Sequence, residues 1–278
     1  MNIREEDFVF IQDLCLKNCG IRFEKDKVYL LRDRLTSVAL QLQLSSIDEL
    51  CNVLRKNTFE SATQKVIDAL TTHESSFFRD DSFFRYLRKT LIPGLIQNHQ
   101  LEKGRPLRIW STACANGQEP WSLIFLLSEY PEIREIGVNL LCTDVSRSCL
   151  QVTEKAVYAE NEIKRGLSEA EQIRYFEPGT DGFSVRPQYR KWMTFAEVNL
   201  TDIQSVLKAA GTTPWDLILC RNVLIYFEQS VQNTTVHTLA SKVARGGSLA
   251  FGSTEGFFTI PGFEQPEDLK YIFRRKVG

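Results

Sequence analysis

The stretch WDLILCRNVLIYF at 215–227 decides how the rest of the chain is read. Its first half, Trp215-Asp216-Leu217-Ile218-Leu219-Cys220, is an apolar run of strand length, the pattern of a strand buried on both faces of a sheet. An Arg-Asn pair ends the run, and Val223 to Phe227 follows at once. Arg221, Asn222 and Tyr226 are therefore expected at or just beyond the carboxyl end of a central strand, where open α/β sheets bind their ligands.

Working outward, Leu107 to Ser111 reads as a first strand, followed by a loop of small residues, Thr112 to Gly117, and a helix starting near Pro120. Val138 to Thr143 is a second strand ending at Asp144, with Ser146 capping a helix that runs to about Ala159. Met193 to Val198 is a third strand and Leu217 to Cys220 a fourth. Gly246-Gly247 reads as a tight turn into a fifth, Ser248 to Gly252, and Tyr271-Ile272-Phe273 as a closing strand. Strands alternating with helices predict an α/β domain whose mainly parallel sheet is covered on both faces. Residues 177–192, rich in Gly, Pro and aromatics, read as a small insertion.

The first 68 residues have a different texture. Phe8, Ile11, Leu14 and Cys15 make one helical stripe; Val28, Leu31, Leu35, Val38 and Leu42 make another. Ser45 or Ser46 stands as an N-cap before Ile47, and the first proline is Pro93. The expected organisation is a helical domain at 1–68 and an α/β domain at 69–278.

Bulk properties exclude several classes. A formal net charge of -1 over 278 residues, without runs of like charge, gives nucleic acid no electrostatic footprint. The apolar runs are too short to span a bilayer, and the N-terminus is too acidic for a signal peptide. The 7 cysteines are scattered through apolar stretches without zinc-site spacing, which predicts reduced thiols in a cytoplasmic protein. His73, His99 and His237 share no spacing that suggests a metal.

Five features suggest chemistry. The 111–117 loop occupies the nucleotide position of doubly wound folds, yet its single Gly argues against a dinucleotide pyrophosphate. Asp144 stands where an acid accepts ribose hydroxyls, although capping is the commoner role of an isolated Asp there. Glu119 is either a helix first-turn acid or a partner for an ammonium group. Asn199 and Leu200 offer an amide and an apolar face to a base, or simply a turn. Thr71 to Asp80, TTHESSFFRD, joins the two halves, and its Arg79 is suited to a bidentate carboxylate contact.

Together, TTHESSFFRD, RIWSTACANGQEPWSL, LLCTDVS, the Asn-Leu of VNLTD, DLILCRNVLIYF and GGSLAFGSTEGF resemble the chemotaxis-receptor methyltransferase (CheR) family. The resemblance covers nearly the whole chain. It implies a helical N-terminal domain joined to a Rossmann-like S-adenosylmethionine domain with a small inserted β-subdomain. It implies methyl transfer from S-adenosyl-L-methionine, leaving S-adenosyl-L-homocysteine, to glutamates on the cytoplasmic helices of methyl-accepting chemoreceptors. It places the cofactor at His73, Ser75, Arg79, Glu119, Asp144, Asn199, Leu200, Arg221 and Asn222, and catalysis at Arg79 and Tyr226. Receptor contact falls to basic residues of the N-terminal helices, here Arg32 and Arg34, with Lys27 a weaker candidate. A cytoplasmic monomer without nucleic acid, membrane insertion or metal is expected.

The chain departs from the family pattern at several points. Gln118 replaces the second acid of GEEP, Ser75 replaces a frequent Thr, and Gly252-Ser253-Thr254-Glu255 replaces GHSE without obvious consequence. The segment PGTDGFSVRP at 178–187 is shorter than the loop of members that dock on a receptor pentapeptide, which predicts pentapeptide-independent recognition. Two rival readings share these residues: the same chemistry on another signalling protein, and a noncatalytic scaffold that binds the cofactor or its product. A small-molecule carboxyl methyltransferase is disfavoured by the dedicated helical domain.

Overall fold

Four helices, α1 (Glu5–Cys19), α2 (Val28–Gln41), α3 (Ile47–Lys56) and α4 (Glu60–Leu70), pack as a bundle. The structure is a computed structural model and describes residues 3–23, 28–56, 60–101, 104–255, 258–267 and 269–277. The apolar stripes make the bundle core, with Ile11, Cys15, Leu31, Leu35, Ile47 and Leu50 buried in it. Ser46 is the cap: its hydroxyl accepts from the Glu49 N–H at 3.0 Å, and the Glu49 carboxylate accepts from Ser45 at 2.8 Å. After Leu70 the chain runs without regular structure to α5 (Asp81–Tyr86), a π-helical turn over Leu87–Leu91 and α6 (Ile92–Leu101).

The α/β domain follows with β1 (Leu107–Thr112), α7 (Gln118–Leu127), α8 (Glu132–Ile136), β2 (Val138–Asp144) and α9 (Arg147–Lys155). A small unit comes next: β3 (Val157–Tyr158), α10 (Glu160–Lys164), α11 (Glu169–Tyr175), β4 (Phe176–Gly179) and β5 (Gly182–Val185). The main sheet resumes with β6 (Met193–Glu197), α12 (Ile203–Ala210), β7 (Trp215–Cys220), α13 (Gln229–Ser241), β8 (Val243–Phe251), β9 (Phe263–Glu264) and β10 (Ile272–Arg275).

Among the described residues the main sheet has 7 strands in the order β6-β2-β1-β7-β8-β10-β9. The pairs from β6 to β8 are parallel, and β10 is antiparallel to both its neighbours. Alternate residues serve opposite faces: Ile109, Leu140, Leu217 and Leu219 join one core, Trp110, Leu141, Ile218 and Cys220 the other. Burial on both faces is what the unbroken apolar run at 215–220 encodes. The strand order reverses at β1, with β2 on one side and β7 on the other, which opens a crevice beyond the carboxyl ends of these strands.

Three boundaries differ from the sequence reading. Gly246-Gly247 is no turn: both lie inside β8, where the register jumps from Trp215↔Val243 to Leu217↔Ser248. The pair forms a bulge; Gly246 has φ 73, and a Cβ on Gly247 would meet the Asp216 carbonyl at 2.9 Å. Helix α9 stops at Lys155, because Ala156 turns left-handed and Val157-Tyr158 pairs with β5. The small sheet, in the order β3-β5-β4, thus starts well before residue 177. A two-residue strand has no periodicity by which a sequence could announce it.

Candidate active site

The crevice is a cavity of about 890 Å³, solvent at its mouth included. It is bordered by the strand-end loops of the sheet, by Thr71 to Ser75, and by Cys19 and Ile21 of the helical bundle. His73, Ser75, Arg79, Glu119, Asp144, Asn199, Leu200, Arg221, Asn222 and Tyr226 all line it. Arg32 and Arg34 do not. The Arg32 Nε donates to Asp33 at 3.4 Å, and the Arg34 Nη1 donates to the Leu70 carbonyl at 2.9 Å, closing the end of α4. Lys27 lies outside the described residues.

The loop between β1 and α7 is bent tightly against the sheet. Ala113, Ala115 and Gly117 have positive φ of 53, 48 and 87°. The conformation costs an alanine about 1 kcal/mol, and small side chains keep the backbone open to a ligand. It is held by the Cys114 N–H to the Thr143 carbonyl at 2.9 Å and the Ala115 N–H to Asp144 Oδ2 at 2.9 Å. Gly117 is required twice over, since a Cβ there would also strike Thr153 at 2.5 Å.

Asp144 accepts two backbone N–H groups, Ala115 on Oδ2 and Ser146 on Oδ1, both at 2.9 Å. Burial pushes its pKa above the usual carboxylate value, while those N–H bonds and the nearby His73 pull it back. Asp144 therefore organises the turn and faces the cavity. Ser146, not Asp144, caps α9, accepting from the Cys149 N–H at 3.2 Å. His73 Nε2 lies 2.5 Å from Thr71 Oγ1, whose proton goes to the Ile67 carbonyl. The neutral imidazole then donates from Nε2 and keeps Nδ1 as an acceptor. Burial holds its pKa below the ordinary imidazole value.

Arg221 is buried at the centre. Its Nη1 donates to Glu119 Oε2 at 3.0 Å, its Nη2 reaches Asp80 Oδ2 at 3.4 Å, and its guanidinium covers the Phe83 ring at 3.9 Å. Glu119 is fixed in turn by Ser111, which donates to Oε1 at 2.8 Å. The Arg221 Nε is buried with no partner among the described residues. An unmatched donor on a residue of the cavity wall calls for an acceptor there, such as the carboxylate of a bound amino acid.

Asn199 is largely occupied as the turn its alternative reading described. Its Oδ1 accepts from the Thr201 N–H at 2.9 Å and hydroxyl at 2.8 Å, and its Nδ2 donates to the Lys17 carbonyl at 3.3 Å. Asp202 caps α12, accepting from Gln204 at 3.0 Å. Leu200 contributes an apolar wall to the cavity. Arg79 and Tyr226 have groups to spare. Arg79 Nη1 donates to the Glu74 carbonyl at 3.0 Å, and no other bond of its guanidinium is seen among the described residues. Tyr226 is 36% exposed, and its hydroxyl is likewise unpartnered there.

Sequence reasoning passed over two contributors. Glu255, in the GSTE departure, is buried and accepts from the Val223 and Leu224 N–H groups at 2.7 Å and from the Gly252 N–H at 2.5 Å. It clamps the turn that presents Asn222, at φ 60, and Tyr226. Its position, right after a strand-end Gly, was the available signal. Cys19 and Ile21 reach the cavity because the bundle packs over the sheet, and no local pattern reports that. Among the described residues no group of three or more His, Cys, Asp or Glu is arranged for a metal. No helix there is long and apolar enough to cross a membrane. All seven thiols are buried and unbridged, and burial pushes those of Cys114, Cys142 and Cys220 up, so they stay protonated core groups.

Known proteins match this sequence over nearly its whole length. The CheR methyltransferase SAM-binding domain matches residues 73–272, and the CheR methyltransferase all-alpha domain matches 6–71. The chain is similar to chemotaxis protein methyltransferase Cher2 of Pseudomonas putida, 33% identical over 270 residues, covering 95% of this chain and 94% of that one. It is also similar to chemotaxis protein methyltransferase 1 of Pseudomonas aeruginosa, 33% identical with 95% of each chain covered. The chemotaxis protein methyltransferase of Borreliella burgdorferi is 29% identical, over 98% of this chain and 93% of its own. Matched along both domains, and carrying a cavity whose polar groups suit a nucleoside and an amino acid, the chain belongs to the CheR methyltransferase family and uses S-adenosylmethionine.

Proposed function

We propose that this chain methylates glutamate side chains on the cytoplasmic helices of chemoreceptors, in chemotaxis adaptation, giving γ-glutamyl methyl esters. The observation that carries the reading is that Arg79 and Tyr226 share one cavity with the cofactor-type residues and keep donors uncommitted. The bound cofactor supplies a methyl group on a sulfonium, a strong electrophile. Asp144 and Leu200 are assigned to its nucleoside, with Asn199 beside them. Glu119, Arg221, Asn222, His73 and Ser75 are assigned to its amino-acid end.

A glutamate carboxylate is already ionised and nucleophilic at neutral pH, so no general base is needed. The work of the chain is to orient it and exclude water. Arg79 holds one carboxylate oxygen and offsets the desolvation cost of bringing an anion into the cavity. Tyr226 donates to the carboxylate from the other wall. Arg32 is the stronger receptor-facing candidate, because Arg34 is engaged beneath the 71–75 segment.

The test is transfer of labelled methyl from S-adenosylmethionine to receptor cytoplasmic fragments, followed by alkaline treatment. A glutamate ester releases methanol in base, whereas an N-methyl product keeps its label. Arg79→Ala is expected to lower turnover by about 10²-fold or more, the scale of loss when a reacting group is misplaced. Base-stable label, or near-normal turnover of that variant, would remove the assignment.

A further inference from the structure

The segment that carries Arg79 is gripped by the small β-unit, which lies outside the cavity. Arg165, in the loop after α10, donates from Nη2 to Glu74 Oε1 at 2.9 Å. The carbonyl of the same Glu74 accepts from Arg79 Nη1 at 3.0 Å. Two contacts thus connect Arg165 to the Arg79 guanidinium. Three residues after Glu74, Phe77 is fully buried, edge-on to Tyr158 of β3 at 5.1 Å and to Phe176 of β4 at 5.5 Å. The next residue of the loop, Gly166, has φ +102, and a Cβ on it would fall 1.9 Å from the Phe77 carbonyl oxygen. The backbones of the small unit and of the 74–79 segment therefore touch where only glycine fits.

We propose that Arg165 and Gly166 are positioning residues for Arg79, holding its guanidinium in place at the cavity from the small β-unit. The inference rests on reading Arg79 as the group that orients the accepting carboxylate. Neither residue lines the cavity, so each acts through the 74–79 segment. The Arg165–Glu74 pair is exposed, at 61% and 66%, and such pairs add little to stability. Its consequence is geometric. Glu74 is anchored by its side chain, so its carbonyl stays aimed at Arg79, and a long side chain with one hydrogen bond keeps one direction. Rate responds steeply to such alignment, whereas cofactor affinity, to which this segment gives Ser75 and Arg79 and the other walls give the rest, responds less.

The experiment uses the full chain, labelled methyl transfer to a receptor cytoplasmic fragment at saturating substrates, and calorimetric titration of S-adenosylmethionine. Arg165→Ala is expected to lower kcat about three- to tenfold while cofactor Kd stays within about twofold. Gly166→Ala is expected to lower kcat more, since it displaces the Phe77 carbonyl. Glu74→Arg combined with Arg165→Glu is expected to regain most of the kcat lost in either single variant. Raising salt should bring wild-type kcat towards that of Arg165→Ala and leave the variant unchanged, because exposed pairs are screened. A wild-type kcat in Arg165→Ala, or additive losses in the exchanged pair, overturns the positioning role alone. A wild-type chain that forms no base-labile ester overturns the reaction, and with it the role of Arg79 on which this rests.

Discussion

Glu255 is a carboxylate that accepts from backbone N–H groups of the two loops that meet at Asn222. A glutamine there can accept at one terminal atom but turns an N–H2 towards the donors at the other. Glu255→Gln is therefore expected to cost about 1–3 kcal/mol of stability, measured by urea melts, because buried donors lose their acceptor. Turnover at saturating cofactor should fall at least about tenfold, since Tyr226 rides on the same turn; unchanged turnover would mean that the turn holds without it. His73 gives a second residue-scale expectation, with its sign set by burial. Its pKa in the folded chain is below the ordinary 6.5. The folded state then binds fewer protons than the unfolded state below that pH. Its stabilising contribution is present above 6.5 and is lost as pH falls towards the folded value. Protonation also puts a cation into a cavity built for a sulfonium, so cofactor affinity should weaken over the same interval. Titrations of S-adenosylmethionine between about pH 5.5 and 7.5 check this. His73→Gln should flatten that dependence, and an unaltered slope would refute the link.

At the scale of elements, the β1–α7 loop shows how one strand-to-helix connection is made into a ligand cradle. Its left-handed residues, its two ties to β2 and its contact with Thr153 of α9 leave no slack. Gly117→Ala must push the loop away from α9 and adopt a disfavoured φ at once. We expect cofactor affinity to drop by about tenfold or more, with about 1–2 kcal/mol of stability lost. Gly104→Ala is the control, because Gly104 also has positive φ, at 116°, but nothing lies within 4 Å of its Cβ position. It should lose some stability and keep cofactor affinity, and equal affinities in the two variants would deny the loop its role. Elements of this kind were legible where one local pattern decided them. Trp215 to Cys220 read as a buried strand from its length and apolar run, which put Arg221 and Asn222 at its carboxyl end. The bulge at Gly246-Gly247 was not legible, because a glycine pair marks a turn and a bulge equally, and only pairing with Trp215 and Leu217 separates them. Val157-Tyr158 was hidden for a similar reason: its strand character comes from β5, not from its own side chains.

Across the whole molecule, the bundle borders the cavity through Cys19 and Ile21 and the sheet through its strand ends, while the small β-unit grips residues 74–77 from outside it. Contacts between bodies join residues far apart in the chain, such as Gln64 Nε2 with the Val145 carbonyl at 2.9 Å and Arg22 with Glu228 at 2.7 Å. No periodicity encodes them, so the sequence could indicate which residues belong to the cavity but not how the bundle covers it. The same scale bears on receptor docking. An extended peptide binds such a unit by adding a strand to a free edge. Here β3 is two residues long, and the outer edge strand β4 carries Pro178, which has no N–H to donate. The hairpin between β4 and β5 closes at the Gly179↔Gly182 pair, around Thr180 and Asp181, so no long loop extends the edge. An edge with so few donors offers an added strand little of the main-chain bonding on which its affinity depends. A receptor C-terminal pentapeptide should therefore give no more heat than a scrambled peptide in calorimetric titration, and deleting it from a receptor fragment should leave methyl transfer unchanged. Micromolar or tighter binding of the native sequence alone would show that the small unit still presents a working edge.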